Sequence, residues 1–301
     1  MRNKSTRKGI ILAGGVGSRL NPITNAISKQ LLPVYDKPMI YYPLTTLMLT
    51  GISDILIITT KRDINNFKNL LGDGKSLGIN ISYEIQNVPR GLTEAFIIGE
   101  KFIGENSVAL ILGDNLFHGS YLVEKLKKAD FNSNSNTIFA YLVNDPERYG
   151  VVTLNSEGEA TKIDEKPNKP RSRYAITGLY FYDNSVIQKS KEVEPSSRGE
   201  LEISALNQMY LKEKKLKVEV MGRGMAWFDT GTFDSLQQAS SYIRTLEKRQ
   251  GLKIGCPEEV AWRNGWITTD QLNNLSISMG SNAYSNYLRS LINEKINGKI
   301  V

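Results

Sequence analysis

The first apolar run of the chain, Ile10-Ile11-Leu12-Ala13, breaks into Gly14-Gly15-Val16-Gly17-Ser18-Arg19-Leu20, with Lys29 and Gln30 close behind. Glycines leave backbone N–H groups uncovered and free to take positive φ. Successive N–H groups then form a concave nest for an anion, and Arg19 adds a fork of donors suited to phosphate oxygens. These residue types fit a phosphate-binding loop at the end of a strand, and they also fit a plain structural turn. A mononucleotide P-loop would close on Gly-Lys-Ser/Thr, where this chain has Gly17-Ser18-Arg19. The dinucleotide fingerprint would need a third glycine where Leu20 stands. Neither template applies.

Two aspartates are the next candidates. Asp114 follows the apolar run Val108 to Leu112 and Gly113. It suits the N-cap of a following helix and equally a ligand for a hard cation such as Mg²⁺, whose shell phosphate oxygens would complete. Asp229 stands in a similar frame between Phe228 and Thr230-Gly231; if the two converge, the metal reading wins. Glu165-Lys166-Pro167 ends a strand, where neighbours face opposite ways. Only one of the pair reaches a pocket unless Pro167 frees the other, and the alternative is a surface ion pair. Lys29 is a phosphate ligand or a solvated loop lysine, His118 a polar surface residue and Cys256 a small packing residue.

With one cysteine and one histidine among 301 residues, the chain has no internal disulfide and too few ligands for a typical zinc site. A serine hydrolase would have to use His118, the single histidine, as its base. The formal net charge of +7 includes Arg2, Lys4, Arg7 and Lys8, a tail expected to be solvated. No later cluster reaches the density of a nucleic-acid stripe, so a small polyanionic ligand is the better partner. No apolar run is long enough to span a membrane, and the N-terminus lacks the apolar core of a signal peptide. A cytoplasmic address is expected.

These residues sit where elements should end. Helices are expected over Pro38–Thr50, Arg62–Leu71 and Leu92–Ile103, and strands over Ile52–Thr59, Asn80–Gln86 and Val108–Leu112. That rhythm predicts an α/β domain with a mostly parallel sheet. Beyond Asn136 strands crowd together at Thr137–Val143, Val151–Leu154, Ala160–Glu165 and Ala175–Tyr182. Helices return at Asp183–Lys191 and Glu202–Lys212, followed by a strand at Leu216–Met221 and a long helix at Ser235–Lys248. Two or three short helices fill Pro257–Ile296. In open α/β sheets ligands bind at the carboxyl ends of the strands, which gathers Gly14–Arg19, Gln86–Leu92, Gly113–Asn115, Glu165–Lys166 and Trp227–Gly231.

Taken in order, these motifs resemble the sugar-1-phosphate nucleotidyltransferases, and within them the branch using dTTP and glucose 1-phosphate. The resemblance is carried by Leu12–Leu20 and Lys29–Leu44, then Gly113-Asp114-Asn115, Tyr149-Gly150-Val151, Glu165-Lys166-Pro167 and Thr177-Gly178-Leu179-Tyr180. Arg198–Ile203, Trp227–Thr232 and Arg249–Lys253 complete it. It implies a three-layer αβα Rossmann-like fold with a mostly parallel mixed sheet, a β-rich sugar-binding insertion and a helical C-terminal cap. The implied core spans 7–250, with a nucleotide half near 7–115 and a sugar-phosphate half near 116–232; 251–301 would serve oligomer and regulatory contacts.

Under that resemblance Gly14, Gly15, Gly17, Arg19 and Lys29 hold the triphosphate, Gln86 and Gly91 read the thymine edge, and Leu92 packs nearby. Asp114 and Asp229 carry Mg²⁺. Asn115, Tyr149, Gly150, Glu165, Lys166, Thr177, Gly178, Tyr180 and Trp227 surround the sugar phosphate, with Lys166 on its phosphate and Glu165 on hydroxyls. Arg19, Lys29, Lys166 and Asp114 are the implied catalytic set, for the first step of dTDP-rhamnose synthesis. Family members are commonly homotetramers with end-product inhibition at a second site; Gly119, Glu259 and Arg263 match positions there, whereas Tyr121–Val123 diverges. The family's frequent Gly-Leu-Ala-Gln-Ala appears as Gly91-Leu92-Thr93-Glu94-Ala95, preceded by Arg90. A uridylyl- or cytidylyltransferase, a non-catalytic nucleotide-sugar sensor and a nicotinamide oxidoreductase are the competing readings.

Overall fold

The computed structural model of the protein describes residues 5–131 and 135–293. Arg2, Lys4, Ser133, Asn134 and the stretch after Asn293, where the last predicted helix would run on to Ile296, lie outside the described residues.

The first half alternates strands and helices. In chain order it runs β1 (Lys8–Ala13), a two-stranded ribbon of β2 (Pro33–Val34) and β3 (Lys37–Pro38), α1 (Tyr41–Thr50), β4 (Asp54–Thr59) and α2 (Ile64–Leu71). Next come β5 (Asn80–Ile85), α3 (Glu94–Ile98), α4 (Glu100–Ile103), β6 (Val108–Leu112), β7 (Asn115–His118) and α5 (Leu122–Phe131). β6, β1, β4 and β5 pair parallel in that order. Their residues are apolar on both faces because helices cover both faces. Ile11, Ala13, Ile55 and Ile57 pack under α1, while Ile10, Leu12, Leu56 and Ile58 pack under α3. Two cores separated by one sheet make the expected three layers.

The second half is largely antiparallel. It comprises β8 (Asn136–Leu142), β9 (Gly150–Leu154), β10 (Ala160–Glu165), β11 (Tyr174–Tyr182), α6 (Val186–Glu192), α7 (Ile203–Lys212), β12 (Leu216–Met221) and β13 (Ala226–Asp229). β11 runs antiparallel to β6 and joins the halves, so the sheet reads β10-β9-β11-β6-β1-β4-β5, with β8 and β12 branching from β11. Helix α8 (Phe233–Gln250) then crosses back, opened by a Thr232–Ser235 capping box. Helices α9 (Pro257–Arg263), α10 (Thr269–Ser278) and α11 (Ala283–Asn293) form the helical C-terminal region. Their Val260, Ala261, Leu272 and Leu288 share one core with Leu44 and Leu47 of α1.

The departures have local causes. The helix expected from Pro38 starts at Tyr41, because Lys37–Pro38 pairs back on Pro33–Val34. The helix expected over Leu92–Ile103 is interrupted at Gly99, where the backbone passes so close to β1 that a Cβ would stand 2.9 Å from Ile10. β7 was not expected at all. It forms a separate antiparallel ribbon with β13.

Candidate active site

That ribbon decides the aspartate question. Its register sets Asn115 opposite Asp229, and Thr230 donates to the Asp114 carbonyl through both its backbone N–H, at 3.0 Å, and its hydroxyl, at 2.7 Å. Asp114 therefore precedes a strand and caps no helix, and the two aspartates converge. Burial, and then the neighbouring Asp114 carboxylate, push the Asp229 carboxyl up to about 6. Burial alone would raise Asp114 as well, but its ion pair with Lys29 and a 3.1 Å hydrogen bond from Asn115 Nδ2 hold it below the ordinary range. Two buried carboxylates are a donor set that Mg²⁺ accepts when phosphate oxygens complete its shell. No group of three or more His, Cys, Asp or Glu able to hold a metal occurs among the described residues. The set thus suits a phosphate-bound cation better than a closed structural site.

The glycine loop brings the cations. Thr24 Oγ1 donates to the Gly17 carbonyl at 2.8 Å and fixes the loop's far end. The Arg19 guanidinium lies against Gly231, where a Cβ would stand 2.7 Å from Nη2 and 3.2 Å from Asp229 Oδ1. Any larger residue at 231 would displace it. Lys29 extends across Gly15 to reach Asp114. The segment between them is braced by buried Asp63, which accepts from the Ser28 N–H at 3.1 Å, and by Arg62, which donates to the Thr24 and Asn25 carbonyls.

At the end of β5, Gln86 is buried with its side chain against Gly14. Gly91 sits at φ 111°, with the Leu201 carbonyl where a Cβ would go, so only glycine fits this turn. Leu92 packs at the edge of the Ile10 core.

Across the cleft β10 ends at Glu165, and Lys166 turns into the left-handed region at φ 38°. This frees both members of the pair. Lys166 Nζ lies 3.9 Å from Glu165 and is 45% exposed, and its N–H donates to the Tyr149 carbonyl at 3.1 Å. Glu165 stands opposite Gly150 and accepts hydrogen bonds from Ser204 Oγ and from Arg198 Nη2. The Tyr149 ring packs on Trp227 at 5.1 Å. Asn115 Oδ1 accepts from the Gly178 N–H at 3.0 Å and from Trp227 Nε1 at 2.6 Å. The Thr177 hydroxyl is buried without a protein partner. Tyr180 is not brought to the cleft; it stacks on Tyr182 inside the core, 3% exposed.

The family described as nucleotidyl transferase matches residues 8–245. The chain belongs to the nucleotidyl transferase family. It is 57% identical over 286 residues to the glucose-1-phosphate thymidylyltransferase of Mycobacterium tuberculosis, covering 95% of this chain and 99% of the relative. It is 55% identical over 285 residues, with the same coverage, to the enzyme of that name from Neisseria meningitidis. A Bacillus anthracis crystal structure assigned as a glucose-1-phosphate thymidylyltransferase, in complex with sucrose, superposes with a TM-score of 0.74 at 40% identity, covering 79% of this chain and 96% of that one. A UDP-glucose pyrophosphorylase bound to UDP-glucose gives 0.70 at 26% identity, covering 80% of this chain and 99% of that one.

Several residues that hold this constellation together receive no individual role in the sequence reading. Thr230, which clamps Asp114, follows Asp229 directly and could have been suspected from that adjacency. Arg148 lies 5.4 Å over the Tyr149 ring and adds a cation whose charge is felt at Asp229; its only signal was standing beside Tyr149-Gly150. Arg198 and Ser204 reach Glu165 across more than thirty positions, which no local spacing announces, while Glu94 bonds Gln86 and, at i,i+4 spacing, Arg90. Away from the cleft, Gly119 and Glu259 line a cavity of about 280 Å³ with His118, Gln250 and Lys253. Arg263 donates to Glu259 from behind at 2.7 Å. A wider groove of about 1470 Å³ between β10 and β12 includes none of the predicted site residues.

Proposed function

We propose that the protein transfers a thymidylyl group from dTTP to α-D-glucose 1-phosphate, giving dTDP-glucose and pyrophosphate. The observation that carries this reading is the convergence of Asp114, Asp229, Lys29 and Arg19 on one flank of a cleft, with Lys166 and Thr177 on the other. The named relatives support the choice of substrates. A phosphate oxygen of the sugar phosphate attacks the α-phosphorus, the bond to the β-phosphate breaks, and pyrophosphate leaves with its electron pair. The nucleophile arrives as an anion, so no base is needed, in keeping with a site that offers no histidine. His118 is bonded to the Tyr242 hydroxyl at the other end of the ribbon.

The chain's own task is to hold two polyanions together in line. Arg19, Lys29 and the loop N–H groups neutralise the triphosphate, Lys166 takes the sugar phosphate, and Glu165 accepts from sugar hydroxyls. Gln86 contacts the pyrimidine edge. Asp114 and Asp229 would hold Mg²⁺, which supplies charge neutralisation at the phosphate oxygens. A cytoplasmic homotetramer feeding dTDP-rhamnose synthesis, with feedback through the cavity at Gly119 and Glu259, completes the reading. No helix among the described residues is long and apolar enough to cross a membrane.

The likeness to a UDP-glucose pyrophosphorylase makes uridylyl transfer the second reading. Pyrophosphate release measured with dTTP, UTP and CTP, with and without glucose 1-phosphate, separates the two. Turnover is expected with dTTP and only when the sugar phosphate is present. Asp114→Ala is expected to lower it by about 10³-fold or more while circular dichroism stays native; an active alanine variant would remove the metal assignment.

A further inference from the structure

Gln86 does not choose its own orientation. Its Nε2 donates to Glu94 Oε2 at 2.8 Å, with both side chains buried. Arg90 closes on the same carboxylate from outside. Its backbone N–H donates to Oε2 at 3.2 Å, its Nε to Oε1 at 2.8 Å, and its Nη2 lies 2.7 Å from Oε1. A carboxylate only accepts hydrogen bonds, so the amide can face Glu94 only with its NH₂ group. The amide oxygen is therefore turned the other way, to the space over Gly14, where a built Cβ would stand 2.2 Å from it.

We infer that the Arg90–Glu94 pair is a positioning device that fixes the sense of the Gln86 amide and so decides which pyrimidines the site accepts. This rests on Gln86 being the base contact, as proposed above. Thymine and uracil present an N3–H donor beside a carbonyl acceptor, whereas cytosine presents an N3 acceptor beside an amino donor. A Gln86 locked by Glu94 offers its oxygen, with its second N–H alongside, and this matches the imide edge. It meets cytosine acceptor to acceptor. A glutamine at position 94 carries both a donor and an acceptor and would satisfy either sense of the amide. The device does not distinguish thymine from uracil, because the C5 methyl lies away from the imide edge.

The test compares kcat/KM for dTTP and dCTP, by pyrophosphate release at saturating glucose 1-phosphate, in wild type and variants. Glu94→Gln is expected to lower the dTTP-over-dCTP ratio about tenfold or more, mainly through nucleotide KM, with the KM of glucose 1-phosphate unchanged. Arg90→Ala, at a largely exposed side chain, should move the ratio the same way by about threefold. In a Gln86→Ala background, Glu94→Gln should shift the ratio by less than about twofold, because no amide is left to orient. An unchanged ratio in Glu94→Gln, or an equal fall without Gln86, overturns the inference. If Glu94→Gln does not fold, Arg90→Ala decides alone, and an unchanged ratio there overturns it. A wild type that prefers dCTP, or releases no pyrophosphate, overturns the proposed function instead.

Discussion

Lys29 and Asp114, on the flank proposed for the nucleotide, are nearly dry and already paired, whereas Lys166 and Arg198, on the flank proposed for the sugar phosphate, stand half in water, with Lys166 held in a left-handed turn. Lys29 and Asp114 meet at about one-tenth exposure each, while Lys166 is 45% and Arg198 39% exposed. The scaffold explains the contrast. Lys29, Asp114 and Gln86 sit at the mouth of parallel strands covered on both faces, and the sugar groups sit at strand ends and turns of an antiparallel extension. Desolvation on the dry flank is met during folding, so its dipoles and charges are preorganised. On the wet flank the same charges are weak until a ligand excludes water. Substitutions should therefore change stability and turnover together on the dry flank, and substrate affinity alone on the wet one.

The largest effect should come from Asp229→Asn. Turnover is expected to fall about 10³-fold or more, yet the metal-free protein should become more stable by about 1–3 kcal/mol above pH 7. The sign follows from a folded-state carboxyl raised above its ordinary 3.8 to about 6. The stabilising contribution of such an acid is complete below about pH 3.8 and is lost as pH rises through 6. The variant's advantage should open between those values and stay level above them. Urea unfolding in EDTA across pH 4–8 measures it, and an equal or lower stability would break the contrast.

A middle-sized effect belongs to Lys166→Ala. Its kcat/KM for the sugar phosphate should drop about 10²-fold, with the melting temperature within about 2 °C of wild type. A large loss of stability would place Lys166 with the dry flank. The smallest effect is expected from Arg198→Ala, which leaves Glu165 with Ser204 as its remaining hydrogen-bond partner. Glucose 1-phosphate KM should rise about three- to tenfold, and nucleotide KM should not move.

Most of the scaffold is written locally. Val108–Leu112, Ala160–Glu165 and Leu216–Met221 fall where their apolar pattern and turn signals put them. Gly14–Arg19, Gln86–Leu92 and Glu165–Lys166 do lie at strand ends, whereas Trp227 to Asp229 are themselves part of a strand. What local pattern could not give is pairing at a distance. Four residues, Asn115 to His118, make too short a run to read as a strand, and their partner lies about 110 positions away. The convergence of Asp114 with Asp229 was legible only as a condition. The turn at Lys166 is similar: Pro167 hinted at it, but nothing in the local residues specifies a left-handed backbone at a lysine. Tyr180 shows the opposite failure, since a motif residue beside Thr177 and Gly178 alternates into the core.

Asn115 gives the site a peculiar inheritance. One carbonyl oxygen serves a strand of the sugar flank and the indole of the ribbon, and the NH₂ on the same carbon steadies a carboxylate of the nucleotide flank. An aspartate there would add a third negative charge beside Asp114 and Asp229, and a leucine would strand two buried donors. Neither flank can be exchanged for a foreign one by trading loops alone. Any successful graft has to carry this single amide, and the strand register that reaches it, as one piece.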